Sequence, residues 1–360
     1  MNFSVKEFWK KHSHLLIALG FTIWGLYLRY VRLARRDLWL DEHSQIQNML
    51  GPFQSLWQRA YYGELTCFPG DYLLSYLFIN WAPENKWIVM IPHMVATVIS
   101  FGLLYLICRR YMKTVWGTLA AFLVFTYNTN LIYHAFEMRP YAVLIVLGLA
   151  VFYCAEMIID AQYRLSRLQK FLIGVLFFVT IQFHAYGISI VFFPTIFFIF
   201  KEWGRLRSLG DVIRHIFKFY AILGAFALPV WLWYVSGTLT FSPIDTFQFI
   251  PDPRNNPVGF LKGVFGNLIG DRLFYPLLAG MIAAFLIQHK ERWIQVGFFL
   301  ILAAAPIALL FWVDVVKQYW FLQRQFTWVM PLFAFFLGWC LDSVLVWARD
   351  KGKRAAPFFE

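Results

Sequence analysis

The stretch WIVMIPHMVATVISFGLLYLI, residues 87–107, contains no Asp, Glu, Lys or Arg. A helix rises ~1.5 Å per residue, so the ~17–25 apolar residues that cross a bilayer match this segment in length. Trp87 stands at its start, where an amphipathic ring suits the membrane interface. Comparable runs lie at 15–31 and 293–313. Working outward from these, the hydropathy pattern predicts further spans near 115–133, 140–159, 171–183, 188–200, 217–235, 274–287 and 326–347. The expected fold is therefore all-α, a polytopic transmembrane protein of about ten spans.

Composition supports that class. Hydrophobic residues make up 60% of the 360-residue chain and charged residues 14%, against about 25% charged in a soluble domain. Aromatics reach 21% and collect at the ends of the apolar runs. The net charge of +12 does not form a nucleic-acid-binding patch, because the basic residues cluster between spans. With the N-terminus in the cytoplasm, the clusters fall on one side. They are Lys6, Lys10, Lys11; Arg109, Arg110, Lys113; Arg164, Arg167, Lys170; Lys201, Arg205, Arg207, Arg214, Lys218; Lys290, Arg292; and Arg349, Lys351, Lys353, Arg354. Membrane lipids with anionic head groups are their expected partners. The start combines basic residues with an apolar stretch but runs on into Leu28-Arg29-Tyr30-Val31-Arg32 without small residues for cleavage, so it reads as an uncleaved anchor. Cys67, Cys108, Cys154 and Cys340 are too scattered for a disulfide framework or a zinc site.

The expected organisation is one transmembrane domain over 1–348 and a basic cytoplasmic tail over 349–360. Within the domain, a first outside loop over 32–86 carries two helices along the membrane surface, an amphipathic one near 43–62 and a short apolar one near 71–81. A second outside loop over 236–272, rich in Pro, Gly and Asn, reads as an irregular lid. Glu156 and Asp342, near cytoplasmic ends of spans, are expected to reach water.

Four clusters carry candidate chemistry, all expected outside. The first is Arg29-Tyr30-Val31-Arg32-Leu33-Ala34-Arg35-Arg36-Asp37-Leu38-Trp39-Leu40-Asp41-Glu42. Its paired carboxylates, Asp41 and Glu42, suit a general base or the oxygen ligands of a divalent cation. Its arginines suit bidentate grips on phosphate. The bland alternative is a helix start capped by Asp41, with the arginines on lipid phosphates. The second cluster, His134 to Tyr141, includes Glu137 and Arg139, ionisable groups at membrane depth that are either functional or a turn-shaping pair. The third is His184-Ala185-Tyr186-Gly187, where the histidine is a base or ligand, or hydrogen-bonded filler. The fourth is Gln323-Arg324-Gln325-Phe326 at the start of the last span. Glu64 and Asp71 of the first loop face the same cavity or water. Polar residues gathered on one face, rather than along the spans, suit an outer-leaflet enzyme better than a channel.

In order and side these clusters resemble the C-type (GT-C) membrane glycosyltransferases, in the bacterial branch related to dolichyl-phosphate-mannose protein mannosyltransferases and the lipid A aminoarabinose transferase. The matching elements are Asp41-Glu42 after the first helix, Phe68-Pro69-Gly70-Asp71-Tyr72-Leu73-Leu74, Glu137-Met138-Arg139-Pro140-Tyr141-Ala142, His184-Ala185-Tyr186-Gly187, and Arg324 to Pro331. Paired prolines common in the family are here reduced to Pro69-Gly70. The resemblance implies an inverting transferase in the plasma (inner) membrane, with its active face outside the cytoplasm. Its donor is a polyprenyl-phosphate sugar, and its acceptor is a hydroxyl of a glycan, lipid or protein. It implies Asp41 as base with Glu42 beside it, and Arg139 and Arg324 on the donor phosphate with Arg32 and Arg36 in reserve. Glu64, Glu137, Tyr141, His184 and Tyr186 orient sugar or acceptor. The resemblance implies no definite cofactor, with a divalent cation as an option. Many relatives carry a soluble C-terminal domain where this sequence stops, which suggests a partner membrane subunit. The competing readings are a flippase of lipid-linked sugars and a non-catalytic scaffold.

Overall fold

In the computed structural model, residues 5–61, 69–160, 163–184, 186–203, 209–240, 256–269, 292–317 and 326–355 are described. Every regular element among them is helical. Helix α1, Val5–Ala34, leads to four short helices: α2 Leu40–Met49, α3 Phe53–Tyr61, α4 Pro69–Trp81 and α5 Lys86–Val89. The end of the bundle carrying α2–α5 is called the outer end. The single helix expected near 43–62 is split in two. Leu50 is extended, Gly51 takes φ +106°, and Pro52 has no N–H to continue a ladder. Helix α4 holds this break. Asn80 accepts from Gly51 N at 3.0 Å and donates to Met49 O at 2.9 Å, and the Tyr76 hydroxyl donates to Gly51 O at 2.7 Å.

The bundle continues with α6 Ile91–Tyr111, α7 Val115–Tyr127, α8 Thr129–His134, α9 Tyr141–Ile159, α10 Arg167–Phe183, α11 Gly187–Glu202 and α12 Leu209–Thr240. Next come α13 Pro257–Ile269, α14 Arg292–Phe298, a π-helical stretch Phe299–Ala304, α15 Ala305–Lys317 and α16 Met330–Ala355. Among the described residues, five segments are long and apolar enough to cross a membrane: His12–Ala34, Ile91–Tyr111, Tyr141–Ile159, Ile216–Trp233 and Met330–Lys351. This is the architecture of a membrane protein. The expected spans at 115–133, 171–183, 188–200 and 293–313 correspond to shorter helices or to a helix with a π stretch, and 274–287 lies outside the described residues. Asn128 breaks the first of these runs. It ends α7 in an extended conformation, and its side chain accepts from Leu131 N at 3.0 Å to start α8.

Two further expectations are corrected. In the region 236–272, α12 runs on to Thr240 and α13 fills 257–269. Its Pro and Asn mark a helix start there rather than a loop, since Asn256 accepts from Gly259 N at 2.9 Å. Residues 241–255 lie outside the described set. The expected tail over 349–360 begins as a continuation of α16, which extends to Ala355.

At the inner end, Glu156 and Asp342 are buried rather than wet. Glu156 of α9 meets Lys201 of α11 at 2.5 Å and Arg110 of α6 at 2.8 Å. Asp342 of α16 accepts from Lys113 N at 2.9 Å, Thr114 N at 2.6 Å and the Thr114 hydroxyl at 2.5 Å, so it caps the start of α7. That cap depends on close helix approach. A Cβ on Gly117 would lie 2.7 Å from Asp342 Cβ, and one on Gly338 would lie 2.4 Å from Gly117 O. Between the two ends, Phe152, Phe197, Phe298 and Phe335 pack ring against ring.

Candidate active site

The outer site is organised around a carboxylate with no exposure. Glu42, in the first turn of α2, receives both Arg36 guanidinium nitrogens, at 2.5 and 2.7 Å. It also accepts from Trp39 N at 3.0 Å, three residues back, and from Met138 N at 2.8 Å. Arg36 donates in addition to Phe136 O. The cap of α2 thus comes from Glu42 and not from Asp41. Charge-assisted bonds of this kind are each worth about 1.5–3 kcal/mol. Together they pin the first outer segment to the turn between α8 and α9.

That pinning places Asp41 against Arg139. Their side chains meet at 3.3 Å, with Asp41 34% exposed and Arg139 13% exposed. Arg139 sits in a tight turn, its N–H donating to Glu137 O at 2.7 Å, and Pro140 then starts α9. Beneath the turn, His134 Nδ1 and Glu137 Oε2 are 2.5 Å apart and both residues are buried. The His134 ring lies between those of Tyr133 and Tyr141, at 5.0 and 5.2 Å. Glu137 Oε1 is buried without a hydrogen-bond partner.

A second polar group lies behind α2. Asp71, at the start of α4, accepts from the Gln45 amide at 2.5 Å and meets His93 Nε2 of α6 at 3.2 Å. All three are sealed from solvent, as is Ser75, yet Gln45 Oε1, His93 Nδ1 and Ser75 Oγ have no partner. Buried orphans of this kind cost about 1–3 kcal/mol each, so a cluster of them points to functional constraint or an absent solvent or ligand partner. The start of α4 also abuts the α10–α11 junction, because a Cβ on Gly70 would lie 2.5 Å from Phe183 Cδ2. Beyond that junction, His184 Nδ1 accepts from Tyr186 N at 3.2 Å, which puts the ring proton on Nε2. Desolvation, then the positive charge of Arg139, push the His184 pKa down to about 4, against the pull of Asp71. The Tyr186 ring stacks between His184, at 5.1 Å, and Phe326, at 6.1 Å.

The predicted residues thus divide. Asp41, Glu42, Arg36, Glu137, Arg139 and Tyr141 share one junction between α2 and the α8–α9 turn, with His184 and Asp71 in electrostatic reach. Arg32 is committed to Tyr133, its guanidinium 3.8 Å from the centre of that ring. Arg29 is buried in the bundle and donates to Gly25 O. Glu64 and Arg324 lie outside the described residues. Gln45 and His93 were not anticipated. The available signal was a histidine in the first turn of an otherwise apolar span. Among the described residues no three His, Cys, Asp or Glu side chains gather as a metal set, and Asp41 and Glu42 face different arginines. Comparison with protein-family models, curated proteins and solved structures finds no match to this chain.

Proposed function

We propose that the outer site transfers a sugar from a polyprenyl-phosphate donor to an acceptor hydroxyl with inversion, as the C-type membrane glycosyltransferases do. The carrying observation is the ion pair of Asp41 with Arg139 at 3.3 Å, a third open on the carboxylate side. It sets a base beside a phosphate-binding cation, the two groups this reaction needs. The contact is longer and more exposed than the Arg36–Glu42 pair at 2.5 and 2.7 Å, which favours exchange with an arriving phosphate. An arriving donor phosphate replaces Asp41 on the Arg139 fork, and the freed carboxylate takes the acceptor proton. The acceptor oxygen then bonds to the anomeric carbon as the bond from that carbon to phosphate oxygen breaks. Polyprenyl phosphate leaves with its electron pair, its charge held by Arg139, so no general acid is needed. Neutral His184 offers its Nε2–H to a sugar hydroxyl. Glu42 and Arg36 are positioning residues in this scheme, each already committed to the other. In this reading the site faces outward across the plasma membrane, and the basic inner end faces the cytoplasm.

Asp41→Asn tests the proposal. The change keeps shape but removes basicity, so the protein should insert and melt as wild type. Transfer from a polyprenyl-phosphate sugar should fall by roughly 10²-fold or more. Near-normal transfer by the variant sinks the role of Asp41. Donor translocation by wild type without transfer supports a flippase, and neither activity with any donor supports a scaffold.

A further inference from the structure

Helices α10 and α12 run in the same direction and leave a cavity of about 820 Å³ between their inner halves. Its rim carries Arg167 and Lys170 from the first turn of α10, and Arg214 and Lys218 from α12. Deeper in, the lining turns apolar, ending at Phe178 and Phe226. The change from charge to hydrocarbon is stepwise along each helix. On α10 it follows Arg167, Phe171, Gly174 and Phe178, and on α12 Arg214, Lys218, Ile222 and Phe226, spacings that keep one face. No acidic side chain lines the cavity among the described residues. Phe171 and Phe226 are 65% and 70% exposed, so the described protein leaves this apolar face open.

The dimensions fit one class of ligand. From Arg214 to Phe226 the helix advances ~18 Å, close to the ~15 Å of hydrocarbon in one leaflet. A soluble phosphate would satisfy the rim and leave the apolar length empty. A zwitterionic lipid would fill the length and leave the cations unmatched. We propose that this groove binds an anionic phospholipid from the inner leaflet, its phosphate among Arg167, Lys170, Arg214 and Lys218 and an acyl chain along Phe178 and Phe226. The site is at the opposite end of the bundle from Asp41 and does not depend on the proposed transfer reaction. Gly174 lines the groove, and a Cβ there would meet only Phe219, at 3.7 Å.

Native mass spectrometry of the full chain, delipidated and titrated with phosphatidylglycerol or with phosphatidylcholine of the same acyl chains, tests the assignment. Wild type should retain phosphatidylglycerol at least about 10-fold more strongly than phosphatidylcholine. The combined R167Q, K170Q, R214Q and K218Q variant should lose that preference, because each cation near an anionic lipid adds to its attraction. Gly174→Trp, which fills the groove and leaves all four cations, should lower retention of both lipids by a similar factor. Lys170→Gln with Lys218→Gln changes only exposed side chains and should give an intermediate preference, which guards against misfolding of the larger variants. Equal retention of the two lipids by wild type overturns the proposal. So does unchanged preference in the four-site variant, or displacement of the lipid by millimolar inorganic phosphate.

Discussion

Glu156 at the inner end and Asp41 at the outer end each face an arginine, but their surroundings differ. Glu156 has Arg110 and Lys201 on its two oxygens and is closed off by three helices. Asp41 meets Arg139 at 3.3 Å and has a third of its side chain open. The inner acid is enclosed by cations, which stabilises the packing of α6, α9 and α11. The outer acid is partly open to solvent, beside a group of buried polar atoms lacking partners. A membrane protein therefore shows where it works less by having charges in it than by leaving some of them within reach of solvent.

The largest effects should come from the fully enclosed carboxylates. Glu42→Ala leaves the half-buried Arg36, and Glu156→Ala the half-buried Arg110 and Lys201, without their carboxylate, and either should lower stability by up to about 3–5 kcal/mol. Unfolding in detergent would measure this. If the comparison is right, the surviving folded Glu156→Ala protein transfers sugar at the wild-type rate per molecule, whereas Glu42→Ala does not, because it frees the segment carrying Asp41. Equal transfer by the two would erase the distinction between the ends.

A smaller effect is expected at Arg139. Lysine keeps the charge but not the fork, so Arg139→Lys should leave the melting temperature near wild type and reduce transfer about 10-fold, chiefly through weaker donor binding. The matching change at the inner end, Arg110→Lys, should leave transfer unchanged. Activity lost equally in both would show that the bundle responds as a whole to any cation swap.

The smallest effect sharpens the comparison through pH. His184 takes up a proton near pH 4 when folded, against about 6.5 in an unfolded chain. The unfolded state binds more protons between those values. Stability contributed at this site is therefore constant above about pH 6.5 and declines as pH falls toward 4. His184→Gln should flatten that part of the pH–stability curve, and an unchanged slope would remove His184 as its source.

Much of the helical order was legible because apolar length is a strong signal. The run at 87–107 became α6, shifted by a few residues, since Asn85 caps a separate short turn first, its side chain accepting from Trp87 and Ile88 N–H. The splits at Gly51-Pro52 and Asn128 were written in residues whose meaning is local, yet hydropathy averaging hides single breaking positions. The candidate site was legible as a set of clusters, but not the roles within it. Asp41 and Glu42 look equivalent in sequence, and only the fold sends one to a sealed pair and the other to an open one. Glu156 and Asp342 were misplaced because burial among cations, or against the N–H groups that start another helix, cannot be read from position along a span. Gln45 and His93 were missed because their partner, Asp71, lies on another helix.

The bond from Met138 N to Glu42 joins residues 96 apart in the chain. During synthesis at ~5–20 residues per second, the partner of Glu42 emerges about 5–20 s after it. Throughout that interval the first outer segment holds a charge pair that nothing has yet enclosed, with α6 and α7 still being placed. The assembly of Asp41 with Arg139 thus waits on a segment made well after the first helices, and a nascent chain interrupted before residue 138 would lack the site although its first helices were complete.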